Sequence, residues 1–135
     1  GKKEGEGPLG KYFDVVGEED GLFGCQCWEE AESVLQKEAV TMAIRKAKLE
    51  KWEIRTIYAG DLLAQTIASS FGIIGFDIPV YGLYGACATM GEALSLSSMA
   101  VAAGYGNYVV AVTSSHYGSA EKEFRFPLGY GNQRP

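Results

Sequence analysis

The sequence has no long apolar run, since no stretch approaches the roughly 18 residues needed to span a bilayer. The most apolar stretch, 93–103, is interrupted by three serines. The chain opens Gly1-Lys-Lys-Glu-Gly, without the hydrophobic region of a signal peptide. We therefore expect neither a transmembrane segment nor a signal peptide in this chain.

Positive charge is also scarce, because 12 Lys and Arg residues stand against 17 Asp and Glu residues and the net charge is −5. A nucleic-acid-binding surface is therefore not expected. The three cysteines are an odd number and indicate a reducing compartment rather than a disulfide framework. Cys25 and Cys27 are too close together for the usual zinc pair, so no metal site is predicted. A dinucleotide fingerprint is absent as well, and no cofactor is expected.

What the sequence does contain is an alternation of apolar patterns that predicts three helices and three strands. The expected elements are, in order, a helix from Trp28 or Glu29 to about Lys48, a strand 54–59, a helix 62–72, a strand 78–81, a helix 87–103 and a strand 108–113. This order predicts an α/β fold with parallel strands and crossover helices. Residues 1–27 are expected to form a loop-rich arm, because Pro8, Gly10 and Gly17 disfavour regular structure.

Two of the predicted helices differ in how their apolar residues are distributed. In the first, one face is expected to be buried and the charged residues, Glu32 among them, to lie on the solvent side. Its expected buried residues are Ala31, Val34, Leu35, Ala39, Met42, Ala43 and Ala47. The third is apolar all round, which predicts burial on several sides. The strands of this chain are too few to cover it, so we expect further chain or a second subunit, and we interpret the sequence as a fragment.

Cys87 lies where a predicted strand turns into the third helix. The first N–H groups of a helix lack intrahelical partners, and together with the helix dipole they stabilise a thiolate. Gly85 and Ala86 leave room for another molecule to approach the sulfur. The alternative is a small buried cysteine in a tight turn, because free cysteine often behaves as a core residue.

A cysteine at the start of a buried helix in a βαβα series resembles the thiolase fold of condensing enzymes. Several sequence motifs narrow this resemblance from the fold to one family. They are Glu4-Gly-Glu-Gly-Pro-Leu-Gly10, Ala59-Gly-Asp-Leu-Leu63, Gly82-Leu-Tyr-Gly-Ala-Cys-Ala88, Thr113-Ser-Ser-His116 and Gln133-Arg-Pro135. With them, the chain from residue 4 to its last residue resembles the stage V sporulation protein AD family.

The resemblance implies that residues 1–135 are the amino-terminal half of a thiolase-like α/β protein of the endospore. It implies binding of dipicolinic acid, with or without calcium, and action with membrane proteins of the same sporulation operon, peripheral to the spore inner membrane. It also implies a homodimer that pairs through residues 78–84. Uptake of dipicolinic acid into the developing spore is the expected role.

Two alternatives stay open beside this expectation. One is an acyl-transferring condensing enzyme with Cys87 as nucleophile, and the other is a structural assembly subunit without a ligand. Thiolase-type enzymes take their catalytic histidines from the carboxyl-terminal half. The single histidine of this chain, His116, follows a strand of the amino-terminal half. An enzyme assignment would therefore rest on Cys87 alone.

The candidate ligand-binding residues follow predicted strands. Cys87 and His116 are expected to line one pocket, because the turns after parallel strands lie at one edge of the sheet. Ser115 shares the location of His116, although a serine there could simply end the strand, and His116 could instead bond a loop carbonyl. Asp61 is a weaker candidate, because capping of the next helix explains it. Arg125 could pair with ligand carboxylates or pack against further chain.

Overall fold

The computed structural model describes residues 3–17, 21–62 and 66–115. Its principal elements are a 3₁₀-helix Lys3–Tyr12, α1 (Trp28–Ala47), β1 (Thr56–Asp61), α2 (Ile67–Ile73), β2 (Val80–Gly82), α3 (Thr89–Ala102) and β3 (Val109–Ser114). Short 3₁₀ turns occupy Lys51–Glu53, Ile74–Phe76 and Ala86–Ala88. The predicted alternation of helices and strands is confirmed. Within these ranges, no helix combines the length and apolarity needed to cross a membrane.

The three strands form one sheet in the order β2-β1-β3, and both pairings are parallel. Ile57 of β1 is aligned with Val80 of β2 on one side and with Val110 of β3 on the other. The chain is therefore an α/β protein, as the sequence predicted. All three strands end at the same edge of the sheet, because they run in the same direction.

The core lies between this sheet and the helices α1 and α2. Val40 and Ile44 of α1 pack with Ile57 of β1, Ile73 of α2 and Val112 of β3. Side chains alternate between the two faces of a strand, so the residues on either side of Ile57 point the other way. Helix α3 packs against β1 and β3 on that opposite face.

The buried side of α1 differs from the predicted one. The residues it buries are Ala31, Glu32, Gln36, Val40 and Ile44, which follow one another at helical spacing. Ala39 and Ala43 of the expected face are exposed, and Glu32 of the expected solvent face is fully buried. Val34, Leu35 and Met42 of the expected face are only half-buried, and the side that packs on the sheet is the one that carries Val40 and Ile44. Glu32 and Gln36 can be buried because they have hydrogen-bond partners at the ends of the strands.

Within the predicted loop-rich arm, residues Lys3–Tyr12 form a 3₁₀-helix. The helix is interrupted at Gly7, whose φ of 72° lies in the left-handed region that glycine adopts without strain. Beyond the helix, Asp14 forms an ion pair with Lys46 of α1 at 2.9 Å. Both partners are largely exposed, so the pair stabilises the arm by less than about 1 kcal/mol.

Helix α3 buries a single side in the described part of the chain. The buried residues are Thr89, Ala93, Ser97 and Ala100. The opposite side is apolar and exposed, with Leu94 51% and Met99 65% accessible. The predicted helix is confirmed, two residues shorter at its start and one at its end. Its complete burial stays a prediction for the protein at its natural length.

Candidate functional site

Cys87 lies in the short 3₁₀ turn Ala86–Ala88 between β2 and α3, and its side chain is exposed. The cysteine is therefore not buried by the described part of the chain, and its burial in the natural-length protein stays open. The preceding residue, Ala86, has a φ of 49°, which is the left-handed conformation that side chains disfavour. A non-glycine residue in that region costs about 1 kcal/mol or more and is held by its surroundings.

The turn is held by the buried side chain of Thr89. Its Oγ1 donates a hydrogen bond to the carbonyl of Ala86 at 2.8 Å and accepts one from the N–H of Gly85 at 3.1 Å. The first backbone bond of the turn runs from the Ala88 N–H to the Gly85 carbonyl at 2.9 Å. The N–H groups of Ala86 and Cys87 come before this first bonded N–H in the chain, so no carbonyl within the turn accepts from them. They are thus placed where a helix amino terminus can donate to an anion.

The same turn rests directly on the end of β1. A Cβ atom at Gly60 would lie under 3.0 Å from both the Thr89 methyl group and the Leu83 carbonyl oxygen. Leu83 is itself held by its N–H, which donates to the Ala59 carbonyl at 2.7 Å. The absence of a side chain at Gly60 therefore lets the cysteine-bearing turn pack on the carboxyl end of β1.

A carboxylate also lies beside this turn. A Cβ atom at Gly85 would be 2.6 Å from both carboxylate oxygens of Glu92, in the first turn of α3. The helix dipole favours a negative charge at this end of α3. The same charge repels an anionic ligand at the turn and attracts a cation. Glu92 was not among the residues singled out from the sequence.

Asp61 is the last residue of β1 and does not precede α2 as its N-cap. The N-cap of α2 is Thr66, because the helix begins at Ile67 and not at residue 62. Asp61 is nevertheless bonded to that helix: its Oδ2 accepts the Ser69 N–H at 2.9 Å and the Ser69 hydroxyl at 2.6 Å. The carboxylate is fully buried, and this pair of bonds explains it without a ligand.

A buried polar network lies behind the same edge of the sheet. It comprises Glu32 and Gln36 of α1, Ser69 of α2, Gly60 and Asp61 of β1, and Ser114 of β3. Sequence reasoning singled out Asp61 but missed Gln36 and placed Glu32 on the solvent side. The available signal was the spacing of Glu32 and Gln36, which puts them on one side of a helix between Ala31 and Val40.

The remaining candidate residues follow β3. Ser115 is exposed directly after the strand, whereas His116 and Arg125 lie outside the described residues. Strand β1 separates β2 from β3, so the carboxyl ends of β2 and β3 are about 10 Å apart across the sheet. The parallel strands end at one edge, and the meeting of Cys87 with His116 stays a prediction.

An aromatic cluster lies across β1 and β2. Tyr81 of β2 stacks on Tyr58 of β1, with ring centroids 5.1 Å apart. A side-chain hydrogen bond with Tyr105 raises the pKa of Tyr81, and the Arg55 guanidinium lies 4.9 Å from the Tyr105 ring centroid. All of β2 is exposed, and among the described strands it pairs with β1 alone. Within residues 3–17, 21–62 and 66–115, nothing therefore pairs with the outer edge of β2, which can accept another strand.

Comparison with known proteins agrees with the sequence motifs. The family model for stage V sporulation protein AD matches residues 1–135. The chain is 39% identical over 137 aligned residues to stage V sporulation protein AD of Bacillus subtilis. The alignment covers 100% of this chain and 40% of that protein, so the chain spans less than half of the relative's length. The chain belongs to the stage V sporulation protein AD family.

Proposed function

We propose that this sporulation protein binds dipicolinic acid at the carboxyl edge of its sheet and supports uptake of the ligand into the developing spore. Membership of the family supports the sporulation context. The observation that carries the binding proposal is the exposed turn at Cys87. There, the N–H groups of Ala86 and Cys87 precede the first bond of the turn and can donate to a ligand carboxylate.

Charge around the turn favours the calcium salt over the free dianion. The Glu92 carboxylate beside Gly85 repels a dicarboxylate that has no bound calcium. Calcium prefers oxygen ligands and can be shared between Glu92 and the ligand. Exposed Ser115 is a further hydroxyl at the same edge of the sheet, and His116 and Arg125 follow it in sequence.

We also propose the wider assembly that the resemblance implies. The fold is thiolase-like, and the open edge of β2 pairs with a second copy to form a homodimer. Partner membrane proteins of the same operon hold the dimer peripheral to the spore inner membrane. The exposed Val80 and Tyr81 of β2 supply apolar area for the contact between copies.

Acyl transfer is the second candidate function, and the exposure of Cys87 on a strained turn favours it. In that case the thiolate attacks an acyl thioester, forms a new thioester with the acyl group and releases the thiol of the donor. The exposed side chain of Cys87 is accessible to such a donor. A structural subunit without a ligand is the third candidate, for which the open β2 edge and the apolar side of α3 are the supporting observations.

The experiment uses the protein at its natural length. Calorimetric titration with dipicolinate, with and without calcium, should show saturable binding that calcium strengthens. Intact mass after incubation with acyl-CoA should stay unchanged. An acyl adduct that Cys87→Ser abolishes would establish the condensing-enzyme alternative instead. Absence of both binding and adduct would support the structural subunit.

A further inference from the structure

Gln36 lies at the centre of the buried polar network and contacts both strand ends that border the candidate site. Its Nε2 lies 2.7 Å from the Gly60 carbonyl, 2.9 Å from Ser114 Oγ and 3.0 Å from Ser69 Oγ, and its two N–H groups are shared among these three acceptors. Gly60 belongs to β1 and Ser114 to β3. A single side chain of α1 therefore joins both strands to α2.

The direction of each bond in this network is fixed by chemistry. A carbonyl oxygen can only accept, so the amide nitrogen of Gln36 must face Gly60. Each serine hydroxyl accepts from Gln36 and gives its proton to a carboxylate: Ser114 donates to Glu32 Oε1 at 2.8 Å, and Ser69 donates to Asp61 Oδ2 at 2.6 Å. The chain of bonds thus runs from Glu32 to Asp61 with one consistent polarity.

The groups that this network holds are the supports of the site. Gly60 carries the turn of Cys87, because Thr89 and Leu83 pack against it. Ser114 ends β3 and directly precedes Ser115. A shift of Gln36 would therefore change the position of both strand ends relative to each other.

We propose that Gln36 and Glu32 are positioning residues, which set the relative placement of the carboxyl ends of β1 and β3 without contacting the ligand. Only the expected effect on dipicolinate affinity rests on the proposed function. In the low-dielectric interior, the bonds of such a network hold the groups that they join in one arrangement, although Gln36 Oε1 itself is buried without a hydrogen-bond partner among the described residues. An apolar side chain at Gln36 would fill the space but would leave the Gly60 carbonyl and both hydroxyls without this donor.

The test compares Gln36→Met with Val40→Ala in the protein at its natural length. Val40 lies one turn further along α1, is equally buried, and packs in the apolar core away from the network. Dipicolinate affinity is measured for both variants, together with their urea unfolding. Both should lose stability, but only Gln36→Met should lose about tenfold or more in affinity. An equal affinity loss in the two variants, or none in Gln36→Met, would overturn the proposal.

A conservative substitution separates positioning from general destabilisation. Glu32→Gln keeps an oxygen that accepts the Ser114 hydroxyl and should retain most of the affinity. Glu32→Leu removes the acceptor and should resemble Gln36→Met. Similar affinities for both Glu32 variants would contradict the role given to this bond.

A readout without ligand keeps the inference distinct from the proposed function. The Leu62 N–H donates to the Ser114 carbonyl at 3.3 Å and so reports whether the two strand ends stay together. Its hydrogen exchange should accelerate about tenfold or more in Gln36→Met and much less in Val40→Ala. If wild-type protein fails to bind dipicolinate, the proposed function fails, and this exchange rate still decides the positioning role. An unchanged rate in Gln36→Met would refute it.

Discussion

Replacing Gly60 with alanine tests directly whether the cysteine-bearing turn rests on β1. The added methyl group would lie under 3.0 Å from the Leu83 carbonyl oxygen and the Thr89 methyl group. The Leu83 carbonyl is a backbone group and cannot rotate away as a flexible side chain would. Its displacement would also stretch the 2.7 Å bond from its N–H to the Ala59 carbonyl.

The expected magnitude combines three effects. Overpacking a filled site costs about 1–3 kcal/mol. A weakened Leu83–Ala59 hydrogen bond adds up to about 1 kcal/mol. Alanine offsets about 0.4–1 kcal/mol by restricting the unfolded chain. We therefore expect Gly60→Ala to lower the free energy of unfolding by about 2 kcal/mol.

Urea unfolding of the natural-length protein measures this loss, and Gly75→Ala is the matched control. A Cβ atom at Gly75 meets nothing within 4 Å, so the same chemical change lacks the overpacking cost and should raise the free energy of unfolding by about 0.4–1 kcal/mol. If Gly60→Ala is as stable as Gly75→Ala, the packing of the turn on β1 is refuted.

Three further predictions concern the surfaces around the site. Met99 on α3 is 65% exposed in this chain, and it should resist peroxide oxidation in the natural-length protein because the further chain covers it. Oxidation of Met99 as fast as in urea-unfolded protein would contradict this coverage. Tyr81→Asp should convert the dimer to monomer in sedimentation experiments, whereas a wild-type monomer at high micromolar concentration would remove the basis for pairing through β2. Glu92→Gln should strengthen binding of free dipicolinate and reduce the effect of calcium. Calorimetric titration with and without a chelator checks this, and unchanged binding under both conditions would exclude Glu92 from the site.

The order and type of the elements could be predicted because long segments of helical residues alternate with short β-like apolar runs along the chain. Their boundaries were less accurate, since partners distant in sequence determine where an element ends. Strand β1 extends to Asp61 because its final residues pair with Thr113 and Ser114 of β3. Helix α2 begins at Ile67, five residues later than predicted, and Asp61 caps it from the strand.

The candidate site was predicted only where its chemistry is local. The turn at Cys87 could be read from Gly85 and the start of an apolar helix. Burial of Glu32 and Gln36 could not be predicted, because polar and charged side chains are expected in solvent unless their partners are known. The partner of Glu32, Ser114, is 82 positions away in sequence. Glu92 was missed for a similar reason, since its proximity to Gly85 depends on how the turn enters α3.

The dipicolinate affinity of His116→Ala, measured beside wild type and Cys87→Ala, tests the proposed pocket most directly. Loss of a hydrogen bond to a charged partner costs about 1.5–3 kcal/mol, or about ten- to a hundredfold in affinity. We predict a loss in that range for His116→Ala and a smaller one for Cys87→Ala, because a thiol donates weakly. Folded variants that both bind dipicolinate as wild type does would contradict a pocket at this edge of the sheet.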